Sequence, residues 1–487
     1  MVGFCDPFER DTHGLIIQLY IFQFAKMLQK FKKCGDKKVS FQKKNANFTR
    51  SEQPNGLRSA LVLRWSSFSI RHKQLATLSI MHFVNDGLFY AIYFVIPLAA
   101  LEFDLSFTQA SLIKTLFSLF SSLLQYPCTL LAGLVGEVGL LAVGTGWVGL
   151  GMIIMGLSKG IWPLWISTIC GGLGGNAQHP VASSLVSRLF PLQRRGSAMG
   201  TLNFGGDVGK AAFGAAMSFL LIYVTWRQAL YVVGGGAAVF SLFWYTITHR
   251  LSKRSDKVVI RVSTNSGQQP RIKEKYRGSV SRATQNQASE RLQRRRFIII
   301  SGIGMLDNST RSTLLTFLPF LYLAKGLGKE HLGIYITIVA IGGLLGKLGC
   351  GILADYLGNI GMIVATECLT VVFILLCLVC DPSMGLVLAA FLGFFLNGTS
   401  SVIYSQVAGT IPASVRTRGF GAFFTLTLSS AAIAPLLFGI LGDFFQARYD
   451  EWVGVVTIFV GMAAMVLVTI PLAWIFHKIG HPIATSQ

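Results

Sequence analysis

Continuous apolar runs of about twenty residues recur through this chain, 152–170 and 453–476 among them, with few or no charges inside. At 1.5 Å of rise per residue, a helix of that length crosses the ~30 Å hydrocarbon core of a bilayer. Lipid offers no partners to backbone N–H and C=O groups, so a spanning segment is either a helix or a strand of a closed barrel. A barrel strand reads as a short alternation of apolar and polar residues, which these runs are not. Composition agrees: 52% of the 487 residues are hydrophobic and 13% charged, whereas soluble domains carry roughly a quarter charged residues. The expected fold class is an all-α membrane protein.

With Gly, Pro and charged residues as punctuation, the sequence predicts twelve spans. Six lie near 75–101, 107–133, 138–158, 160–189, 196–222 and 226–249; six more lie near 296–324, 330–354, 359–380, 383–411, 416–445 and 452–477. The expected organisation is an extension over 1–74, a six-helix half over 75–250, a linker over 251–295, a second six-helix half over 296–478 and a tail over 479–487. The linker is rich in Ser, Gln, Arg and Lys, and its shortage of apolar residues predicts a flexible segment. Residues 1–74 have two readings. They form a basic, disordered cytoplasmic extension whose apolar stretch 14–25, too short to span, lies on the membrane surface. Alternatively they are translated sequence upstream of a working protein that begins nearer Met27 or later.

The formal net charge of +22 is concentrated in two blocks, one over 26–44 and one over 250–296. The positive-inside rule then puts both termini and the linker in the cytoplasm, with the protein in the cell (inner) membrane. Neither block shows a nucleic-acid-binding fold or regular aromatic interleaving, so anionic lipid, not nucleic acid, is the expected partner. The eight cysteines are scattered; Cys377 and Cys380 lie in an apolar run without a second pair, and all are read as packing residues. The Gly-rich runs at 171–172, 205–206 and 342–343 follow no strand and precede no Gly-Lys-Ser/Thr, so they serve close helix packing and bind no nucleotide. No cofactor or metal is expected, and no nucleophile–base pair points to an enzyme.

An ionisable side chain in a span costs at least ~2.5 kcal/mol at the bilayer centre, so it normally faces a cavity or a partner. His82 and Asp86 are four apart and share a helical face with Asn85 beside them. A carboxylate there, tuned by burial and neighbouring cations, can exchange protons as a cavity alternates between wet and dry; the structural alternative is that the two residues bind each other. His179 precedes Pro180, which removes a donor and frees carbonyls near residue 176 toward a cavity. Asp207 and Lys210, three apart, read as an internal ion pair or as an anion-attracting lysine. Asp307 and Arg311, four apart, read as a same-helix salt bridge. Lys114 and Lys347 complete the charged set, with Gln125 and Asn203 as polar candidates. If Lys114, Arg311 and Lys347 face the cavity, they favour an anionic substrate. Arg188, Arg194, Arg195, Arg416 and Arg418 sit at helix ends as topology anchors.

Each fourth span runs into a loop ending in Arg-Gly, at Phe190-Pro191 to Arg195-Gly196 and at Ile411-Pro412 to Arg418-Gly419. This repetition of a six-helix unit resembles the major facilitator superfamily, whose substrate cavity lies between two such halves. Further stretches resemble its fosmidomycin-resistance efflux branch: His82 to Asp86, Leu105 to Gln109, Ser121 to Gln125, Gly174-Gly175 with His179-Pro180, and Gly205 to Gly209. In the second half, Gly351 to Asp355 with Gly358 is similar to the superfamily's loop motif, which implies a conformational latch at Gly351, Asp355 and Gly358. The equivalent loop at Gly133 to Gly139 lacks the usual basic residues, Tyr356 and Asn359 replace basic residues in the second copy, and Asp207 and Lys210 stand where the efflux branch has uncharged residues. The resemblance implies a secondary transporter with a small-molecule substrate and protons as partners; the sequence does not fix the oligomeric state, and a monomer is compatible with it. The leading expectation is proton-coupled efflux of a small polar or anionic molecule by alternating access. The alternatives are uptake of an organic anion or siderophore-like compound and, in another class, a non-transporting receptor or scaffold.

Overall fold

The computed structural model describes residues 70–123, 136–190, 192–263, 280–411 and 416–480, and its regular structure is entirely helical. In chain order the α-helices are α1 (Ile70–Phe103), α2 (Phe107–Leu123), α3 (Glu137–Gly156), α4 (Ile161–Gly172), α5 (Gln178–Leu189), α6 (Leu192–Tyr223) and α7 (Trp226–Ser263). The second set is α8 (Val280–Ala324), α9 (Leu332–Leu357), α10 (Asn359–Val379), α11 (Pro382–Thr410), α12 (Arg416–Arg448), α13 (Glu451–Leu467) and α14 (Thr469–Gly480). A 3-10 turn at Gly175–Ala177 joins α4 to α5, and α14 follows α13 after Val468 alone, so each set supplies six rods. Helices α7 and α8 reach into both ends of the predicted linker, leaving 264–279 outside the described residues.

Eight stretches are long and apolar enough to cross a bilayer, those of α1, α3, α7, α9, α10, α11, α12 and α13–α14. The other four rods are shorter, broken or more polar. α2 is described for 17 residues, α4 and α5 have 12 each, and α6 and α8 carry ionisable side chains near their middles.

Local chemistry sets the helix ends. Gly358, with a φ of 74° that glycine adopts without strain, turns the chain between α9 and α10. Asp381 caps α11, accepting from the Met384 N–H at 3.3 Å ahead of a proline at the first helical turn. The Ser383 hydroxyl, 2.6 Å from it, and that N–H hold the Asp381 carboxyl below the usual carboxylate range. Asp450 caps α13 through the Val453 N–H at 2.8 Å.

The two halves pair their helices in the same pattern. α1 packs on α6 as α8 packs on α12, α2 on α4 as α9 on α11, and α3 on α7 as α10 on α13 and α14. Small residues permit the closest of these approaches: a Cβ on Gly209 would stand 2.0 Å from the Phe83 carbonyl oxygen, and one on Gly149 would stand 2.6 Å from that of Gly234.

The halves meet through α2 against α12, α6 against α9 and α1 against α8. At the end of the bundle that carries the turn before α2, this seam is closed. Phe107 packs edge-on against Phe317 and Phe320, with centroids 6.0 and 5.6 Å away. The Tyr90 hydroxyl donates to the Ile336 carbonyl at 2.8 Å, and the Ser218 and Thr337 hydroxyls lie 2.8 Å apart.

Candidate functional site

Beyond that closed seam the halves part around a cavity of ≈ 200 Å³. Its wall takes Asn85, Asp86 and Tyr93 from α1, Lys114 from α2, His179 from α5 and Arg311 from α8. The 3-10 turn before Pro180 interrupts the fourth rod, and this places the His179 ring beside α1. A Cβ on Gly175 would stand 2.1 Å from the Phe89 ring, so that ring must shift to admit a side chain at this turn.

Asp86 is buried and draws three groups around it. Lys210 Nζ lies 3.0 Å from Oδ2, His82 Nε2 3.5 Å from Oδ2 and His179 Nε2 3.8 Å from Oδ1. The two imidazoles meet edge to face at 5.0 Å, and Gln178 Nε2 lies 3.4 Å from His82 Nδ1. Gly206 makes the arrangement possible, because a Cβ there would stand 2.2 Å from His82 Cδ2 and 2.7 Å from Asp86 Oδ2. The spacing of His82 and Asp86 expected from the sequence is thus realised, and α6 adds the cation.

Lys210 also reaches Asp207 Oδ1 at 3.1 Å. Asp207 in turn receives Lys347 from α9, with Nζ 2.7 Å from Oδ1 and 2.6 Å from Oδ2. An unbroken relay of opposite charges therefore runs from Asp86 through Lys210 and Asp207 to Lys347, crossing from the first half to the second. Two acids face two lysines, so the relay is internally neutral when its histidines are neutral.

The second half holds its own group. Arg311 Nη2 donates to Asp307 Oδ2 at 2.7 Å and to the Leu396 carbonyl at 3.3 Å, while Nη1 donates to Asn308 Oδ1 at 3.1 Å. Asp307 Oδ1 is buried without a partner among the described residues. Glu367 of α10 is also fully buried, and its Oε1 has no partner among the described residues. The charged set read from the sequence omits Glu367, although a lone acid in a 21-residue apolar helix is a visible signal.

Other residues named from the sequence fall as follows. Lys114 is buried with Nζ 4.5 Å above the Tyr93 ring. Asn85 is buried, lines the cavity and has an unpartnered Nδ2. Asn203 is exposed and outside the cavity wall. Arg188 pairs with Glu137. Gly351 is exposed and Gly358 forms the α9–α10 turn. Asp355 falls in the last turn of α9 with its side chain outside the described set, and Gln125 lies outside the described residues altogether.

The ligand atoms of His82, Asp86 and His179 lie within 4.8 Å of one another, so they would have to draw together to share a metal ion. Lys210 already supplies a positive charge to the same carboxylate, so an incoming cation must displace it.

The family model for the Major Facilitator Superfamily matches residues 78–306 and 298–484. The fosmidomycin resistance protein of Escherichia coli (strain K12) is 28% identical over 219 residues, 43% of this chain and 52% of that protein. The chain thus spans about half the length of that curated relative. The D-galactonate transporter of Escherichia coli O6:H1 is 24% identical over 363 residues, 70% of this chain and 82% of that protein. Among solved structures, a bacterial homolog of the human lysosomal transporter Spinster, in an inward-facing and unoccupied conformation, superposes with a TM-score of 0.62 at 14% identity. That likeness covers 84% of this chain and 97% of the other. The nucleoside transporter NupG gives a TM-score of 0.61 at 13% identity, over 84% and 99%.

Proposed function

The chain belongs to the Major Facilitator Superfamily, and from that premise we propose that it is a proton-coupled transporter of a small organic anion, working by alternating access between its two halves. The observation that carries this reading is Lys114. Its ammonium is buried on the cavity wall, and among the described residues no carboxylate lies within ion-pair distance of it. The Tyr93 ring offsets part of this charge, but a buried cation without a counterion is costly, and an anionic cargo supplies the counterion.

The Asp86–Lys210 pair gives the coupling. While Asp86 is ionised it shares Lys210 with Asp207; once Asp86 takes a proton, Lys210 keeps only Asp207, which Lys347 already neutralises, and its spare charge can meet an anion. Proton and anion then favour each other's binding, the logic of movement in the same direction. His179, on the cavity wall and 3.8 Å from Asp86, supports a proton route, because an imidazole nitrogen can take up a proton and pass it to a neighbouring carboxylate. The D-galactonate transporter among the relatives supports an organic acid as the cargo class. The fosmidomycin resistance protein favours a second reading, export of such a molecule. In either reading one chain encloses the cavity, which supports a working monomer, and the basic extension and linker face the cytoplasm of an inner membrane. The turn at Gly358, with Gly351 and Asp355, serves as a latch between states.

The test uses the full chain in proteoliposomes with labelled D-galactonate and fosmidomycin and a trapped pH dye. Co-transport predicts accumulation driven by an inside-alkaline gradient, with proton entry on addition of the acid. Asp86→Asn should keep exchange of cargo and lose uphill accumulation. Proton movement opposite to cargo would establish the export reading, and an unaltered Asp86→Asn protein would remove Asp86 from the mechanism.

A further inference from the structure

We propose that His82, Asp86 and His179 form a binding site for a divalent transition-metal ion, entered from the cavity and in competition with Lys210. The donor set is two imidazole nitrogens and a carboxylate, a combination that suits zinc, cobalt or nickel better than calcium or magnesium. His82 and Asp86 share one face of α1, and the break before α5 brings His179 to the same carboxylate. Around a four-coordinate ion with bonds of about 2.0–2.1 Å, neighbouring ligand atoms stand about 3.4 Å apart. His82 Nε2 is 3.5 Å from Asp86 Oδ2 and His179 Nε2 is 3.8 Å from Oδ1, so both edges between histidine and carboxylate are nearly in place. The edge between the two imidazoles, no longer than 4.8 Å, is the one that must shorten. His179 has the room to do this, because its side chain is 44% exposed on the cavity wall, whereas that of His82 is 3% exposed and held by packing.

The groups behind these ligands suit an ion. Gln178 is buried with Nε2 3.4 Å from His82 Nδ1, and its Oε1 has no partner among the described residues. A half-turn of this amide brings Oε1 to an Nδ1–H and leaves Nε2 as the bare nitrogen facing Asp86. A metal-bound histidine donates its second N–H in this way, which fixes its ring and tautomer. Lys210 stands where the ion would sit, with Nζ 3.0 Å from Asp86 Oδ2, but it also lies 3.1 Å from Asp207 Oδ1 and keeps that partner when displaced. The ion adds positive charge to a relay that is neutral without it, so its remaining position, open to the cavity, takes an anionic ligand. An ion held by Asp86 keeps protons from that carboxylate and ties α1 to α5.

Cobalt(II) titrated into the purified full chain in lipid, with chloride as the anion and no cargo or gradient, reads the site through its visible absorption. The wild type should bind a single equivalent with the band of imidazole-ligated cobalt, and zinc should abolish that band. His179→Ala should weaken binding at least about tenfold, the low end of what disturbing a metal's ligand shell costs. Lys210→Met should tighten it, because the ion then meets no competing ammonium. His331→Ala, on the exposed turn before α9, should leave the band unchanged. No stoichiometric binding in the wild type overturns the proposal, and so does equal binding in wild type and His179→Ala, which would show an adventitious ion only. If His179→Ala does not fold, Lys210→Met decides: tighter binding supports the site and unchanged binding overturns it. Transport plays no part in this readout, so a protein that binds cobalt here and moves neither test acid would sink the proton-coupled reading alone.

Discussion

Lys347 of the second half places its ammonium 2.7 and 2.6 Å from the two oxygens of Asp207 in the first, the point at which the charge relay crosses between halves. Both residues are half-buried, with side-chain exposures of 24% and 12%. Removing Lys347 leaves Asp86 and Asp207 to share Lys210 alone, an uncompensated charge that costs up to about 3–5 kcal/mol when fully buried and less at a half-buried pair, whereas replacing both partners by neutral groups is far milder. Lys347→Met should therefore lower thermal stability more than Asp207→Asn combined with Lys347→Met. Thermal unfolding of the three proteins in detergent checks the order. Equal losses in the single and double variants would show that the bridge carries no coupled charge.

Gly206 is the contact through which α6 reaches the His82–Asp86 pair. An added methyl would stand 2.2 Å from the His82 ring, and the site must shift to admit it. Overpacking of this kind costs about 1–3 kcal/mol, small enough for the chain still to fold. Gly206→Ala should thus express and fold while losing most proton-driven transport. Gly200→Ala, where a Cβ meets nothing within 4 Å, should behave as wild type. Matching transport in both variants would refute the role given to this approach.

The rods were legible in the sequence because lipid forces long apolar runs, and the six-linker-six plan followed from where the basic blocks fell. The four rods that are shorter, broken or more polar are informative for the same physical reason. They carry Lys114, His179, Asp207 with Lys210, and Asp307 with Arg311, side chains that a lipid-facing helix could not afford. Pairs within one helix, such as Asp307 and Arg311, follow from a spacing of four. The Asp207–Lys347 bridge joins residues 140 apart and depends on how α6 crosses α9, which no local pattern encodes. Asn203 shows the opposite limit: it shares a helical stripe with Asp207, one turn away, yet it is exposed and clear of the cavity.

A second long-range contact of that kind holds the closed end of the bundle. Asp443 of α12 accepts from the Phe107 N–H at 2.7 Å, the Thr108 N–H at 2.9 Å and the Ser106 hydroxyl at 2.7 Å, so a carboxylate of the second half caps α2 of the first. The first N–H groups of a helix have no partner within it and favour negative charge. Opening this end separates the carboxylate from α2 and returns those donors to water. A charge-assisted hydrogen bond contributes about 1.5–3 kcal/mol, and losing about 2 kcal/mol changes a two-state ratio roughly 30-fold. Asp443→Ala should therefore shift the protein toward the state open at this end. Spin labels at Lys159 and Lys329, both exposed and on loops of opposite halves near the closed seam, should show a longer distance in Asp443→Ala than in the parent. Asp443→Asn, which retains an acceptor oxygen but no charge, should fall between them. An unchanged distance distribution in Asp443→Ala would mean that the aromatic packing of Phe107 against Phe317 and Phe320 closes this end without the cap.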